Sequence, residues 1–366
     1  QQQGVTFAGA INPNSANGWM LFTWVDANGD GTFQFGEQTT LLRQFFPSVS
    51  TQLDRQLSSP TTDELEFGVE HELFENFSLS GSFIYRDDNN FIEDVNSGVP
   101  FGPFAAQLGV ADPFTPVQVT DPGPDGAFGT ADDGGPLTIF NQDPSTLGQD
   151  VFFITNPENL GFTNLFNRYK GVSFVAHKRW SNNWQLLASW DVGEATTAFG
   201  FAGGSIATGP ILDNPNGDLN RAGLSGFDRK HIVKVTGNYL FPDPIGINLG
   251  VFLRFQSGEP VPRDFRFSGS TFGLNQGTTT VNLAARGRDI NPAGVRRLQN
   301  VKILDVRGEK QFRLGGAGMI HGYADLFNVF NTSTISSQRT RSASNFGGVR
   351  DLVSPRVFRL GIMYDF

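Results

Sequence analysis

The residues of this chain whose types and spacing could do chemistry begin with a twelve-residue acidic segment, DANGDGTFQFGE. Its oxygen-bearing residues have the ligand spacing of a calcium-binding loop, and Gly31 permits the sharp turn that such a loop needs. The predicted metal ligands are Asp26, Asn28, Asp30, the carbonyl group of Thr32, Gln34 acting through water, and Glu37. The alternative is a polar turn of Asn-Gly and Asp-Gly pairs that binds no metal.

A second acidic segment, DPGPDGAFGTAD, matches the same spacing less well. Its predicted calcium ligands are Asp121, Asp125, the carbonyl group of Ala127, and Asp132. Its third position holds Gly123, which has no side-chain oxygen, and its last carboxylate belongs to Asp rather than to the longer Glu. The alternative is a loop rich in Pro and Gly whose acids are simply solvated.

No catalytic arrangement stands out, and the sequence predicts that the chain is not an enzyme. The four His lie on separate segments without metal-ligand spacing, and the chain contains neither a GxSxG motif nor a phosphate loop. The row Glu64, Glu66, Glu70 and Glu72 could suggest the paired acids of a glycoside hydrolase. Alternate residues of one strand face the same side, however, so we interpret the row as a barrel lining. A soluble calcium-dependent β-enzyme is the third-ranked hypothesis.

The composition excludes several classes of protein. The 366 residues include 44 Gly, 36 Phe and no Cys, and the formal net charge is -9. The lack of Cys removes disulfides and thiolate metal sites, and the acidic balance argues against nucleic acid as a partner. No apolar run reaches the ~18 residues of a membrane-spanning helix. The chain begins QQQGVTF without a Met or a signal peptide, so we expect a processed or partial product.

The elements that must position these residues are strands with two unlike faces. In the last twelve residues, PRVFRLGIMYDF, alternate positions from Phe366 back to Phe358 are all apolar. The same alternation recurs along the chain and predicts strands near 4–11 (the weakest), 63–74, 77–88, 167–180, 183–195, 228–241, 246–257, 300–312, 318–331 and 355–366. Tight turns alternate with long connections, which we expect as extracellular loops at about 12–62, 87–167, 196–227, 258–300 and 332–354. This all-β pattern is typical of an antiparallel transmembrane β-barrel with short periplasmic turns and long extracellular loops.

Several segments, in this order, resemble the carboxy-terminal half of the barrel of a TonB-dependent outer-membrane receptor. They are PTTDELEFGVEHEL, LSGSFIYRDDNN, FDRKHIVKVTGNYLFP, FQSGEPVP, ADLFNVFNT and SPRVFRLGIMYDF. Within that family, the chain is most similar to the large receptors that carry carboxypeptidase-regulatory-like domains at their amino end. Each segment alone is a weak signal, and their order and spacing carry the resemblance.

The resemblance implies a fold, a location and a set of partners. Such receptors close about 22 strands around an amino-terminal plug, and the ten or so strands predicted here would be half of that wall, with no plug in the chain. We therefore expect the bacterial outer membrane, its lipid and the remainder of the barrel as surroundings. A periplasmic energy-transducing protein is expected as a partner if a plug exists. The resemblance implies energised uptake of a large nutrient such as a peptide or glycan; the alternative is a structural or adhesive surface protein with calcium-stiffened loops.

The alternation also predicts which side chains share a face in the hairpin formed by 228–241 and 246–257. We expect one set to face lipid: Val233, Val235, Tyr239, Ile247, Leu249, Val251, Leu253 and Phe255. We expect the other set to face the lumen: Lys234, Thr236, Asn238, Asn248 and Arg254.

Overall fold

The computed structural model of the chain describes residues 4–8, 19–34, 36–45, 52–163, 165–198, 212–284 and 297–366. The strands, in chain order, are β1 Gly4–Ala8, β2 Trp19–Trp24, β3 Gln38–Phe45, β4 Gln52–Leu53, β5 Thr61–Phe74, β6 Phe77–Asn89, β7 Glu93–Asn96, β8 Phe114–Thr120, β9 Pro136–Gln142, β10 Phe152–Thr155, β11 Asn167–Ser181, β12 Trp184–Thr197, β13 Gly223–Leu224, β14 His231–Leu240, β15 Ile247–Gln256, β16 Arg263–Ser268, β17 Thr278–Ala284, β18 Val301–Arg313, β19 Met319–Phe327, β20 Ile335–Gln338, β21 Val349–Leu352 and β22 Val357–Asp365.

Helices are short throughout the described residues. The α-helices are α1 Gly102–Leu108, α2 Pro215–Asp218 and α3 Gly269–Phe272. The 3-10 turns are Pro144–Thr146, Pro157–Leu160 and Gly315–Ala317. None of the helices in the described part of the chain has the length and apolar character needed to cross a membrane.

The largest sheet is an antiparallel meander that we call the wall. Its order is β22-β19-β18-β15-β14-β12-β11-β6-β5, and the two-residue strand β13 joins it as a tenth member beside β12. These nine long strands lie where the sequence predicted them, which confirms the all-β antiparallel prediction. Within the described residues β5 and β22 do not pair with each other, so each presents one unpaired edge.

The prediction of a wall strand near 4–11 is wrong. β1 pairs with β2 and β2 with β3, in a three-stranded sheet of their own. Residues 9–11 of that prediction lie outside the described residues. The alternation of apolar side chains gives a strand its two faces but does not specify its neighbour, which explains the error.

The register of the wall confirms which side chains share a face. In the β14–β15 pair, Val233 lies opposite Phe255 and Val235 opposite Leu253. Lys234 lies opposite Arg254 on the other side of the sheet. Directly opposed residues of an antiparallel pair point to the same side, so the wall has an apolar face and a polar face, as predicted. That the apolar face meets lipid stays a prediction.

Tight turns join the wall strands at one end, which we call the turn end. Asn76, Asn182 and Asn183 adopt left-handed backbone conformations there, with φ of 64°, 53° and 69°. Asn tolerates this region better than most residues, which favours the short turns β5–β6 and β11–β12.

The long connections lie at the opposite end of the wall, and their described residues form short strands and helices of their own. We name them A (residues 90–166), B (198–230), C (257–300) and D (328–356), and together the cap. Apart from Trp24, every described apolar side chain that is buried lies in the cap and none lies in the nine long wall strands. The cap therefore has hydrophobic clusters, whereas the described wall has none.

Three hydrophobic clusters join the connections. One gathers Val95, Phe101 and Phe114 of connection A around Leu212 of B. A second joins Ile139 of A to a group in connection C: Phe267, Leu274, Val281 and Leu283. A third places Val261 and Leu298 of C against Ile335 and Phe346 of D. Each cluster spans at least two connections, so the connections fold together.

Candidate functional site

The first predicted calcium segment forms a closed loop between β2 and β3. Val25 donates its backbone N–H to the carbonyl oxygen of Glu37 at 3.0 Å, which closes the loop. Asp26 Oδ1 accepts the N–H of Gly29 at 2.7 Å, and Asp26 Oδ2 accepts that of Gly31 at 2.8 Å. The segment therefore wraps its backbone around its first carboxylate. Phe35, inside the motif, lies outside the described residues.

The remaining predicted ligands contact one another or the same backbone. Asp30 Oδ2 accepts from Asn28 Nδ2 at 3.0 Å and from Gln34 Nε2 at 2.6 Å. Asp30 Oδ1 accepts the N–H of Thr32 at 2.7 Å. Glu37, which is buried, accepts the N–H of Gln34 at 2.9 Å. An ion bound here would have to replace some of these N–H partners of the carboxylates.

The second predicted segment lies between β8 and β9, where Asp121 has another partner. Arg263 of connection C donates to Asp121 Oδ1 at 2.7 Å and also to Oδ2. Asp125 accepts the N–H of Ala127 at 2.8 Å, and Asp132 Oδ2 accepts the N–H of Asp125 at 3.1 Å. The structure thus brings Asp125 and Asp132 together and directs Asp121 toward a guanidinium.

Hydrogen bonds also stabilise the charged form of Asp132. The Thr130 hydroxyl, followed by the Asp125 backbone N–H, lowers the pKa of this carboxyl below its ordinary value. No group of three or more His, Asp or Glu side chains in the described ranges is arranged to hold a metal ion. Neither segment gathers its carboxylates around one point.

The junction between connections A, C and D is centred on Arg263. Its side chain is 1% exposed, and besides Asp121 it contacts the hydroxyl of Ser342 in connection D at 3.3 Å. Two backbone bonds cross the same junction: Ser342 N–H to Asp264 oxygen at 2.8 Å and Ala343 N–H to Pro124 oxygen at 3.0 Å. This junction was not predicted from the sequence because its members are far apart in the chain.

Connections A and B meet around buried polar groups. Asn216 of B exchanges two 2.8 Å hydrogen bonds with the backbone of Phe140 in A. Near this contact, burial and, to a lesser degree, the neighbouring carboxylates of Asp94, Glu93 and Asp150 together raise the pKa of Asp213 to about 8. This carboxyl is therefore largely protonated at neutral pH.

The polar face of the wall carries a charged network near β22. Asp325, whose side chain is 5% exposed, accepts from Arg307 at 3.2 Å and from Arg359 at 2.6 Å. The Arg307 guanidinium also lies 4.1 Å from the centre of the Tyr323 ring. On β5, the row of Glu side chains faces the same side as Arg86 and the Ser side chains of β6. The row therefore lies on the polar face, as the barrel interpretation requires.

A cavity of about 630 Å³ lies where the polar face meets the cap. The wall contributes Arg254, Ile303, Asp305 and Phe327, and connections C and D contribute Leu298 and Leu352, among others. Its volume lies within the range of about 300–1,000 Å³ that is usual for ligand sites. Neither the cavity nor its lining was predicted from the sequence, because residues of both the wall and the cap line the cavity.

Comparison with known proteins gives one curated relative. No model of a known protein family matches the chain. The TonB-dependent transporter Oar of Myxococcus xanthus is 21% identical over 299 residues, which are 78% of this chain and 22% of the relative. The chain thus spans about a fifth of the length of the curated relative that it matches.

Solved outer-membrane proteins resemble the chain more weakly. The ferripyoverdine receptor of Pseudomonas aeruginosa is 10% identical, with a TM-score of 0.44 over 96% of this chain and 31% of that receptor. The outer membrane transporter YddB of Escherichia coli is 11% identical, with a TM-score of 0.44 over 87% of this chain and 34% of YddB. Both TM-scores are below 0.5, so neither solved structure supports a conclusion about this chain. The likeness to transporters rests on the wall and on the curated relative, which is a transporter and not an enzyme. The chain is similar over most of its length to part of a TonB-dependent transporter, which confirms the family resemblance predicted from its sequence.

Proposed function

We propose that this chain forms part of the wall and the extracellular cap of a TonB-dependent outer-membrane receptor that takes up a large nutrient such as a peptide or glycan. The observation that carries the proposal is the nine-stranded antiparallel meander, apolar on one face and polar on the other, with tight turns at one end and a folded cap at the other. Bacterial outer-membrane barrels share this asymmetry between their two ends.

The partners follow from the same proposal. The apolar face would contact outer-membrane lipid, and the unpaired edges of β5 and β22 would join further strands, since open sheet edges are not stable in hydrocarbon. Energised uptake would need a plug and a periplasmic energy-transducing protein. A structural or adhesive role is the alternative, in which the same wall carries the cap without moving a solute.

Cysteine labelling can test the orientation because the chain has no Cys of its own. Ala131 lies at an exposed site of the cap and Glu75 at an exposed site of the turn end. In intact cells, a membrane-impermeant maleimide should label A131C, whereas E75C should react only after the outer membrane is permeabilised. The reverse order would overturn the proposed topology.

Uptake is tested separately from topology. Cells carrying the native protein should accumulate its nutrient, and an uncoupler of the proton gradient should abolish accumulation while leaving surface binding intact. Surface binding that is insensitive to the uncoupler, with no accumulation in either case, would favour the adhesive alternative.

Calcium at Asp26–Glu37 is the second part of the proposal. In its support, Asp26, Asn28, Asp30, Gln34 and Glu37 all lie on one closed loop and contact its backbone or each other. Hard oxygen ligands of this kind suit calcium, and extracellular sites bind it with Kd of about 10⁻⁴–10⁻³ M.

At Asp121–Asp132 the candidate ligands are fewer. They are Asp125, the Ala127 carbonyl group and Asp132, because Arg263 holds both oxygens of Asp121.

A further inference from the structure

The cavity between the wall and the cap has an unusual lining for a polar face. Val301, Ile303 and Phe327 occupy positions in register with polar residues of the same face, such as Arg254 beside Ile303. Leu298 and Leu352 close the cavity from connections C and D. An apolar patch on a surface that is otherwise polar marks a place where apolar groups of another molecule can be buried.

Two opposite charges face this apolar patch. Arg254 donates to Gln256, and in the described part of the chain it forms no ion pair with a carboxylate. Asp305, one strand away, accepts the backbone N–H of Asn328 at 2.7 Å and likewise has no ion pair among the described residues. By contrast, Arg229 in the same lining is paired with Glu259 at 2.9 Å. The cavity thus presents one cation and one anion that do not neutralise each other.

We infer that this cavity binds a peptide with apolar side chains, whose terminal carboxylate pairs with Arg254 and whose N–H donors face Asp305. The inference rests on the proposed receptor function and narrows its nutrient from peptide or glycan to peptide. A carboxylate pairs with a guanidinium through two parallel hydrogen bonds, and leucine-like side chains fit walls of Val, Ile, Leu and Phe.

A glycan fits the lining less well. Polar side chains such as Gln256 and Gln299 also line the cavity. Hydroxyl groups that face the apolar patch of Val301, Ile303 and Phe327 would nevertheless find no hydrogen-bond partner there, and each polar group that is buried without a partner costs about 1–3 kcal/mol. A bound peptide leaves fewer polar groups without partners, because its apolar side chains occupy the patch while its terminal carboxylate pairs with Arg254.

The test uses the whole native protein in detergent and measures binding by calorimetry. The probes are trileucine, trileucine amide and maltotriose. Trileucine should bind; its amide should bind about ten- to a hundredfold more weakly, because a hydrogen bond to a charged group is lost. Arg254→Gln should weaken trileucine binding by a similar factor and should not weaken binding of the amide further. Arg254→Lys should give an intermediate loss, because a lysine keeps the charge but not the paired geometry.

Arg86→Gln is the matched control, since Arg86 lies on the polar face far from the cavity, on β6. It should bind all three probes as the unchanged protein does. Resistance of the folded barrel to detergent at room temperature shows that each variant is folded. Equal affinity of the R254Q variant and the unchanged protein for trileucine, no trileucine binding at all, or preference for maltotriose would overturn the inference.

These outcomes are separable from failure of the receptor proposal. Uptake sensitive to the uncoupler, combined with R254Q binding trileucine normally, would reject the peptide site and leave the receptor standing. Binding of trileucine that depends on Arg254, without energised uptake, would keep the site and reject transport.

Discussion

Replacing Arg263 with Met should separate connections A, C and D from one another while leaving the wall folded. The guanidinium is 1% exposed, and it donates to both oxygens of Asp121 and to the Ser342 hydroxyl. Met fills similar space without charge, so the change leaves the Asp121 carboxylate, 14% exposed, without its counter-ion. Breaking a buried pair on one side in this way costs about 3–5 kcal/mol.

That cost can be converted into an observable rate. At about 1.4 kcal/mol for each factor of ten, the junction should open a hundredfold to a few thousandfold more often. Backbone hydrogen exchange detects such openings. The reporters are the Ser342 and Ala343 amides, which bond across the junction. Amides in the β14–β15 pair should keep their exchange rates.

Arg341→Met is the matched control. Arg341 pairs with Asp264 at 2.9 Å in the same junction, but its side chain is 55% exposed. An exposed pair contributes about 0–1 kcal/mol, so exchange should rise less than about sixfold. A double replacement, Asp121→Leu with Arg263→Met, should recover most of the lost protection, because it removes the uncompensated charge. Equal effects of R263M and R341M, or no rescue by the double replacement, would refute the reasoning.

Four further outcomes follow from the geometry. Val251→Arg puts a cation on the apolar face and should cost about 2–4 kcal/mol in urea unfolding from lipid vesicles, if that face meets lipid. Gly361→Ala places a Cβ in steric clash with the Tyr323 ring, so unfolding in the same assay should show a loss of about 1–3 kcal/mol. Glu37→Gln should raise the Kd for calcium of the first segment in a calcium titration and leave wall unfolding unchanged. The pKa of Asp213 is higher in the folded protein than in the unfolded chain, so the contribution of this carboxyl to cap stability falls as pH rises toward about 8. Asp213→Asn should remove this pH dependence. The measurement is of hydrogen-exchange rates over pH 5–9, corrected for intrinsic exchange.

The wall was predictable because each of its strands shows its own alternation of apolar and polar residues. A period of two, a tight Asn-containing turn and the next period of two are all local in the sequence. The β14–β15 hairpin shows this best, since its partners Val233 and Phe255 share a face as their spacing requires. Register within each hairpin followed from its short turn, which leaves little freedom in the pairing.

The cap was not predictable because its contacts are not local. Asp121 and Arg263 are 142 positions apart, and Asn216 reaches Phe140 across 76. Its strands are short, such as β7 and β20 with four residues each, and give too few positions for a period to emerge. Asp121 was read as a metal ligand from spacing alone, which contains no sign of the guanidinium that faces it.

The stability of the wall should depend on the surrounding detergent or lipid more than the stability of the cap does. The nine long wall strands contain no buried apolar side chain, so the wall has no hydrophobic core of its own in the described residues. If its apolar face meets hydrocarbon, its stability should follow the detergent or lipid around it. The cap instead buries apolar clusters together with bonded amides such as Asn156, which donates to the carbonyl oxygens of Ser58, Asn90 and Phe91.

The cap should therefore keep its hydrogen-exchange protection across a series of detergents that shifts the unfolding of the wall. The cavity near Arg254 takes its lining from both parts, so affinity for a ligand there should respond to each of them. Trileucine binding should weaken when R263M loosens the cap. It should also weaken when a poor detergent distorts the wall, even though neither change touches Arg254. Affinity that followed the detergent but was indifferent to R263M would mean that connections C and D do not shape the cavity.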